Sequence, residues 1–120
     1  WKELQQRSGY PYPISEYSTV TSRLRRIAEF DMGLVLRATM GNRPTELALH
    51  GADYLDFANK GILDHNFLTQ ETKEFVTLLE NELAVPVTFI GTGPEQNEIV
   101  DRVGGQRRLA LAQRSESGVA

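Results

Sequence analysis

Two short apolar segments on either side of an amphipathic stretch constrain the fold of this 120-residue chain more than any other feature. Residues 47–49 read Leu-Ala-Leu, and residues 85–90 form a β-branched run without charge, which fits a strand buried on both faces. Between them, Thr69 suits the N-cap of a helix over residues 71–83, whose apolar side chains recur at four-residue spacing. The order strand, helix, strand predicts a right-handed crossover and parallel pairing of the two strands. We therefore predict the α/β class, as part of a mostly parallel sheet with crossover helices.

The rest of the pattern divides the chain into three regions. Residues 1–16 are predicted to hold a short N-terminal helix followed by a proline-rich link. Residues 17–102 form the main α/β region, in which a further helix begins at Asp31. Residues 103–120 end in small polar residues and are predicted to be a mobile tail, with room for one short helix.

Both predicted strands run into polar loops at their carboxyl ends. Residues 51–56 follow the first strand and residues 91–95 follow the second. Because the carboxyl ends of parallel strands meet at one edge of the sheet, we expect both loops there, where open α/β sheets bind nucleotides. Asp53 either offers two acceptor oxygens to a ligand or ends the strand in an Asx turn. His50 is interpreted as a strand-end histidine rather than a catalyst.

Residues 18–26 place a hydroxyl-rich turn directly before three arginines. Guanidinium groups present forked donors that suit carboxylate or phosphate oxygens. In a loop, Arg23 and Arg25 can converge on one dianion, whereas on a helix they would diverge by about 200°. The run fits a substrate clamp, an RNA contact or a solvated basic helix start.

Composition argues against several classes of function. A formal net charge of -3 does not favour a general nucleic-acid binder. The chain has no cysteine and two histidines, so it suggests neither a disulfide framework nor a metal site. No run approaches the roughly 18 to 20 apolar residues that span a bilayer. We expect a cytoplasmic protein that has no membrane partner and no nucleic-acid partner.

Three segments together resemble the adenylosuccinate synthetase family. They are STVTSRLRR with IAEFD after it, TELALHGADYLD, and VPVTFIGTGPE. They are similar to the C-terminal region of these enzymes, in particular of the archaeal and phage-type branch, over about residues 16–102. The chain holds no Walker-type phosphate loop. In the family that loop, the magnesium-binding carboxylate and the catalytic residues lie in the N-terminal part. The resemblance therefore implies a C-terminal fragment, an incomplete nucleotide-binding domain that holds no catalytic residue and is inactive when isolated.

The resemblance also implies a ligase of purine biosynthesis. These enzymes join L-aspartate to IMP with GTP hydrolysis, giving adenylosuccinate; they use Mg²⁺, and the complete protein is expected to be a homodimer. The implied substrate-binding residues, among which the arginines bind the aspartate carboxylates and the ribose, are Thr19, Val20, Thr21, Ser22, Arg23 and Arg25. The implied residues of the base pocket are Gly51, Ala52, Asp53, Gly91, Thr92 and Gly93. In this assignment Asp53 accepts hydrogen bonds from N1 and N2 of guanine, and the glycines let the backbone approach the purine.

Two positions depart from the family pattern. Gly51 stands where the family has a lysine, and Ser22 stands where it has a glycine. Without a lysine stem on the guanine ring, we expect a weaker preference for GTP over ATP. Both changes fit the phage relatives, which act on dGMP, make 2-aminoadenylosuccinyl nucleotide and accept ATP or dATP. The phage type is therefore an alternative for the substrate.

Two alternatives from other classes remain open. One is a small RNA-binding module that uses the basic run, with Tyr10, Tyr12 and Tyr17 as stacking platforms. The net acidity of the chain counts against it. The other is a noncatalytic assembly fragment that folds only against a partner chain, because an incomplete sheet leaves an edge strand unpaired.

Overall fold

The computed structural model describes residues 1–104 of the chain. The helices are α1 (Lys2–Ser8), α2 (Met32–Asn42), α3 (Ala52–Leu55) and α4 (Gln70–Leu83), and the strands are β1 (Leu47–Leu49), β2 (Val87–Gly91) and β3 (Ile99–Asp101). β1 lies between α2 and α3 along the chain, and two 3-10 turns, Phe57–Asn59 and His65–Phe67, lie between α3 and α4.

The three strands form one mixed sheet in the order β1, β2, β3. β1 pairs with β2 in parallel, and Leu49 lies opposite Ile90. This confirms the α/β class and the predicted parallel pairing across α4. β3 runs antiparallel to β2, with Val100 opposite Ile90. The sequence pattern did not reveal β3, because it has three residues and a charged residue on either side.

α4 supplies the main apolar face of the core. Thr69 caps its first turn and accepts a hydrogen bond from the N–H of Thr72 at 3.3 Å. The core cluster consists of Ala52, Leu68, Val76, Leu79, Leu83, Val87, Ile90 and Val100. The predicted start of the helix and its apolar face are thus confirmed. The expectation that the second strand is buried on both faces is wrong at Phe89, which is 37% exposed.

α2 begins where the sequence predicts, because Asp31 accepts a hydrogen bond from the N–H of Leu34 at 3.0 Å. The helix packs on the core through Met32, Val35 and Leu36. None of its residues is buried, and Leu34 is exposed. α2 therefore lies at the margin of the core.

α1 packs against α3 rather than against the sheet. Gly9, with a φ of 81°, ends α1, and its N–H donates to the carbonyl of Gln5. Tyr10 then points inward, and its ring lies 4.7 Å from the ring of Phe57 between centroids. The N-terminal segment thus covers the short helix that follows β1.

The boundaries proposed at residues 16 and 102 stay predictions. Residues 105–120, which include the short helix predicted in the tail, lie outside the described residues. Among residues 1–104, every helix is too short or too polar to cross a membrane.

Candidate functional site at the carboxyl edge of the sheet

The parallel strands place the two predicted base loops side by side. Gly51, with a φ of 86°, turns the chain from β1 into α3, in a conformation that favours glycine. Gly91 ends β2 beside His50, and a Cβ atom on Gly91 would lie only 2.9 Å from Nδ1 of His50. A side chain at position 91 would therefore displace the ring of His50. Residues 51–53 and 91–93 meet at one edge of the sheet, as the parallel pairing predicts.

Asp53 lies in α3 and is only 3% exposed. The hydroxyl of Tyr10 donates a hydrogen bond to its Oδ2 atom, and Tyr10 is itself 6% exposed. Burial of the phenol, together with this hydrogen bond, raises the pKa of Tyr10 well above its ordinary value. The acid that the resemblance assigns to the base is thus at the expected edge, but a tyrosine of the same chain already binds it. The base-binding role of Asp53 stays a prediction.

The carboxyl edge has two walls, residues 51–53 and residues 91–93. Asn59 fixes the first of these walls to the core. Its Nδ2 donates to the carbonyl of Ala52 and to Oγ1 of Thr72, both at 2.8 Å. Its Oδ1 accepts from the N–H of Thr69 at 2.9 Å. Because the side chain is fully buried, these bonds replace every contact with water. One amide therefore joins α3 to the first turn of α4.

Thr92 fixes the second wall. Its hydroxyl donates to the carbonyl of Ile62 at 2.8 Å, and its own carbonyl accepts from the N–H of Gly61 at 3.2 Å. Its N–H donates to the carbonyl of Glu98 at 2.9 Å. Thr92 is fully buried, so its polar groups are committed to the protein.

Lys60 and Glu98 form an ion pair beside Thr92. This place, where the second wall meets residues 60–61, is the corner of the edge. The hydrogen bond between the two side chains raises the pKa of Lys60 and lowers that of Glu98. A Cβ atom on Gly93 would collide with the carboxylate of Glu98. The position of Glu98 thus favours glycine at position 93, in addition to the approach to a purine that the resemblance implies.

The basic run forms a short antiparallel loop, the arginine hairpin (residues 16–25). Tyr17 pairs with Leu24, and the N–H of Arg25 donates to the carbonyl of Glu16 at 2.8 Å. Ser22 at its tip has a left-handed φ of 54°. A non-glycine residue is strained in this region, which agrees with the glycine that the resemblance gives for this position.

All six predicted substrate-binding residues lie on the arginine hairpin and are exposed, namely Thr19, Val20, Thr21, Ser22, Arg23 and Arg25. Val20 at the tip is 90% exposed. Arg25 lies 4.0 Å from the carboxylate of Glu16, which is a loose ion pair between two exposed side chains. The predicted substrate-binding role of the hairpin stays a prediction.

Two aromatic residues tie the arginine hairpin to the carboxyl edge. The hydroxyl of Tyr54 donates to Glu16 at 2.7 Å, and burial together with this bond raises the pKa of Tyr54. The indole N–H of Trp1 donates to the carbonyl of Arg25 at 2.9 Å. Because Asp53 and Tyr54 are neighbours in α3, this helix contacts both predicted sites.

A cleft of about 820 Å³ opens beside Gly51. Its walls include Trp1, Leu49, Tyr54 and Phe75, and none of the other five predicted base-pocket residues lines it. Within residues 1–104, no group of three or more acidic or histidine side chains could hold a metal ion.

Sequence reasoning missed Tyr10, Asn59 and Lys60 as residues of this edge. Tyr10 meets Asp53 across 43 positions of sequence, and no local pattern signals such a contact. Asn59 and Lys60 stand next to Gly61 in a polar stretch that reads only as a loop.

No protein-family model matches the chain. It is 42% identical over 88 residues to the adenylosuccinate synthetase of Methanocaldococcus jannaschii, and this match covers 73% of the chain and 26% of that enzyme. It is 38% identical over 99 residues to the adenylosuccinate synthetase of Archaeoglobus fulgidus, and this match covers 82% of the chain and 29% of that enzyme. The enzyme of Thermococcus sibiricus is 35% identical over 99 residues. The chain spans little more than a quarter of the length of these curated relatives.

Proposed function

Because this chain belongs to the adenylosuccinate synthetase family and matches only 26% to 29% of its archaeal relatives, we propose that it acts as the C-terminal region of such a ligase. The complete enzyme joins L-aspartate to IMP with GTP hydrolysis and uses Mg²⁺. This region supplies an aspartate clamp and a wall of the purine pocket, while the catalytic residues and the magnesium site lie elsewhere in the enzyme. A homodimer in the cytoplasm belongs to the same proposal.

The observation that carries this proposal is the attachment of the arginine hairpin to α3. Arg23 and Arg25 are two residues apart in an extended segment, so they share one side of the hairpin. Their guanidinium groups are exposed and suit the two carboxylates of aspartate. Through Glu16 and Tyr54, the hairpin is held beside Asp53, at the edge where the purine is proposed to bind.

In the proposed base pocket, residues 51–53 form one wall and residues 91–93 form the other. Guanine would donate its N1–H and N2–H to the carboxylate of Asp53. Since Tyr10 covers that carboxylate in the structure, binding of the base requires the Tyr10 hydroxyl to give way.

A phage-type enzyme that acts on dGMP with ATP or dATP is the alternative substrate assignment. Gly51 and Ser22 favour it, whereas the relatives reported above are archaeal and give it no support.

A noncatalytic assembly fragment is the alternative of another class. It is favoured by α2, which has no buried residue, and by β1, whose outer edge has no partner strand within residues 1–104. An RNA-binding module loses support, because Tyr10 is buried and cannot serve as a stacking platform.

A chimera tests the proposed function. Residues 16–102 of this chain replace the matched segment of the Methanocaldococcus jannaschii enzyme, and formation of adenylosuccinate is measured with aspartate, IMP and GTP. We expect turnover by the chimera and none by the isolated 120-residue chain. A folded chimera without turnover would contradict the ligase assignment, and turnover by the isolated chain would contradict the absence of catalytic residues. Replacing IMP with dGMP, and GTP with ATP or dATP, tests the phage type.

A further inference from the structure

Lys60 lies at the point where the two walls of the carboxyl edge meet. The preceding residue, Asn59, binds the carbonyl of Ala52 in the first wall. The following residue, Gly61, donates its N–H to the carbonyl of Thr92 in the second wall. Both neighbours of Lys60 are thus fixed by hydrogen bonds to opposite sides of the edge. The backbone of Lys60 has little freedom to leave this corner.

The ammonium group of Lys60 keeps donors for a ligand. An ammonium has three N–H donors, and one of them is used by Glu98. The side chain is 26% exposed, so the group reaches the surface of the corner. The hydrogen bond to Glu98 raises its pKa, and the charge of Asp53 adds a smaller contribution in the same direction. A fixed positive charge therefore stands within the electrostatic range of the negative charge of Asp53.

A positive and a negative group at one edge of the sheet complement the two edges of a 6-oxopurine. Guanine presents N1–H and N2–H donors on one side and the O6 and N7 acceptors on the other. A carboxylate accepts from the first pair, and an ammonium donates to the second. Adenine presents an amino group in place of O6, which an ammonium does not bind.

From this geometry we propose that Lys60 is a specificity-determining residue of the base pocket, where its ammonium donates to O6 and N7 of a bound 6-oxopurine. The inference rests on the proposed function, because it requires a purine at this edge. Lys60 then provides a cation although position 51 is glycine, and the pocket retains selection for a 6-oxo group.

Nucleotide analogues separate Lys60 from Asp53. Binding of GTP, 7-deaza-GTP and ITP to the full 120-residue chain is measured by saturation-transfer NMR. 7-Deaza-GTP lacks only the N7 acceptor, and ITP lacks only the 2-amino donor. We expect GTP to bind about tenfold more tightly than 7-deaza-GTP. In Lys60→Met this ratio is expected to fall to about 1, while the ratio between GTP and ITP stays unchanged. An unchanged GTP to 7-deaza-GTP ratio in Lys60→Met would overturn the inference.

Three further variants distinguish the possible reasons for failure. Lys73→Met removes a lysine whose Nζ donates to the carbonyl of Asn66 instead of pairing with Glu98, and it should keep both ratios. Glu98→Gln weakens the ion pair but keeps the ammonium, so it should keep selection for N7. A loss in Glu98→Gln equal to that in Lys60→Met would show that the ion pair acts only on structure, and would overturn the inference.

Asp53→Asn should remove the preference for GTP over ITP. If it keeps that preference, or if the wild type has none, the proposed base pocket itself is wrong.

Discussion

The walls of the carboxyl edge and the arginine hairpin are built in opposite ways. In the walls, Asp53 and Thr92 are buried, as is Asn59, which binds the first wall, and the polar groups of all three bind other parts of the chain. In the hairpin, the residues from Thr19 to Arg26 are all exposed. From the sequence, the two loops of the edge were predicted as polar segments after apolar strands, and the hairpin as a hydroxyl-rich turn before three arginines.

The difference indicates that the polar motif of the predicted base pocket contributes to the stability of the fold, whereas the exposed hairpin motif contributes little. A buried polar group that loses its partner carries the full cost of its desolvation. Replacing an exposed arginine whose side chain contacts only water changes the free energy of unfolding little. Substitutions of the buried polar groups should therefore lower stability, whereas substitutions of the hairpin arginines should change ligand binding with little effect on stability.

The largest expected effect tests the hairpin. In the chimera described above, Arg23→Leu should raise the aspartate requirement or abolish the reaction, a loss of roughly 2–5 kcal/mol because a substrate charge stays unpaired. The free energy of unfolding should change by less than about 0.5 kcal/mol. Aspartate kinetics and urea unfolding measure the two effects. Arg37→Leu, at an exposed position of α2, is the control. Normal aspartate kinetics in Arg23→Leu would mean that the loop assignment is wrong.

The next effect tests the walls. Asn59→Ala leaves Ala52, Thr69 and Thr72 without their buried partner and should lower the free energy of unfolding by about 3 kcal/mol. Asn42→Ala is the matched control, because Asn42 is exposed and its Nδ2 makes one bond, to the carbonyl of Ala38. Urea denaturation of both variants provides the comparison. Equal losses in the two variants would show that the walls have no special role in stability.

A smaller effect concerns alkaline pH. The pKa of Tyr10 is raised in the folded state above its unfolded value of about 10. Its contribution to stability is therefore fully present below about pH 10 and is lost as the pH rises further. The expected loss approaches about 1.4 kcal/mol per pH unit for this one group, and Tyr10→Phe should remove it from the slope.

Denaturant unfolding between about pH 8 and pH 11 measures this slope. Tyr17→Phe, at an exposed position of the hairpin, is the control. Parallel slopes for the wild type and Tyr10→Phe would show that burial and the bond to Asp53 do not raise the pKa of Tyr10.

The smallest effect lies at the tip of the hairpin. Ser22→Gly relieves a left-handed residue and should stabilise the chain by less than about 1 kcal/mol, because the added freedom of the unfolded chain offsets part of the gain. Ser15→Gly, at an exposed position without a positive φ, should not stabilise it. The midpoints of thermal unfolding of both variants and of the wild type measure these changes. A destabilised Ser22→Gly would mean that the serine hydroxyl supports the turn.

Elements with a local signal could be predicted from the sequence. Thr69 and Asp31 are caps whose side chains bind the first turn of the helix that follows, and both helices begin at these residues. The parallel pair followed from the order of its elements along the chain. The same order brought residues 51–53 and 91–93 to one edge.

Contacts between distant side chains could not be predicted. α3 is one turn long, and its sequence reads only as a polar loop after a strand. Glu98 meets Lys60 across 38 positions, and Tyr54 meets Glu16 across the same distance. A partner at such separation is chosen by the tertiary fold, so the sequence gives no period or cap to find it.

The position of Trp1 has a spectroscopic consequence. It is the single tryptophan of the chain, its N–H binds the carbonyl of Arg25, and its ring stands edge-on to Tyr54 with centroids 6.0 Å apart. Excitation of this one indole therefore gives an intrinsic fluorescence signal from the hairpin, without any attached dye. If the predicted ligands bind, an anion that shifts Arg25 would alter the emission directly, whereas a base at Asp53 would reach the indole through Tyr54, the next residue of α3.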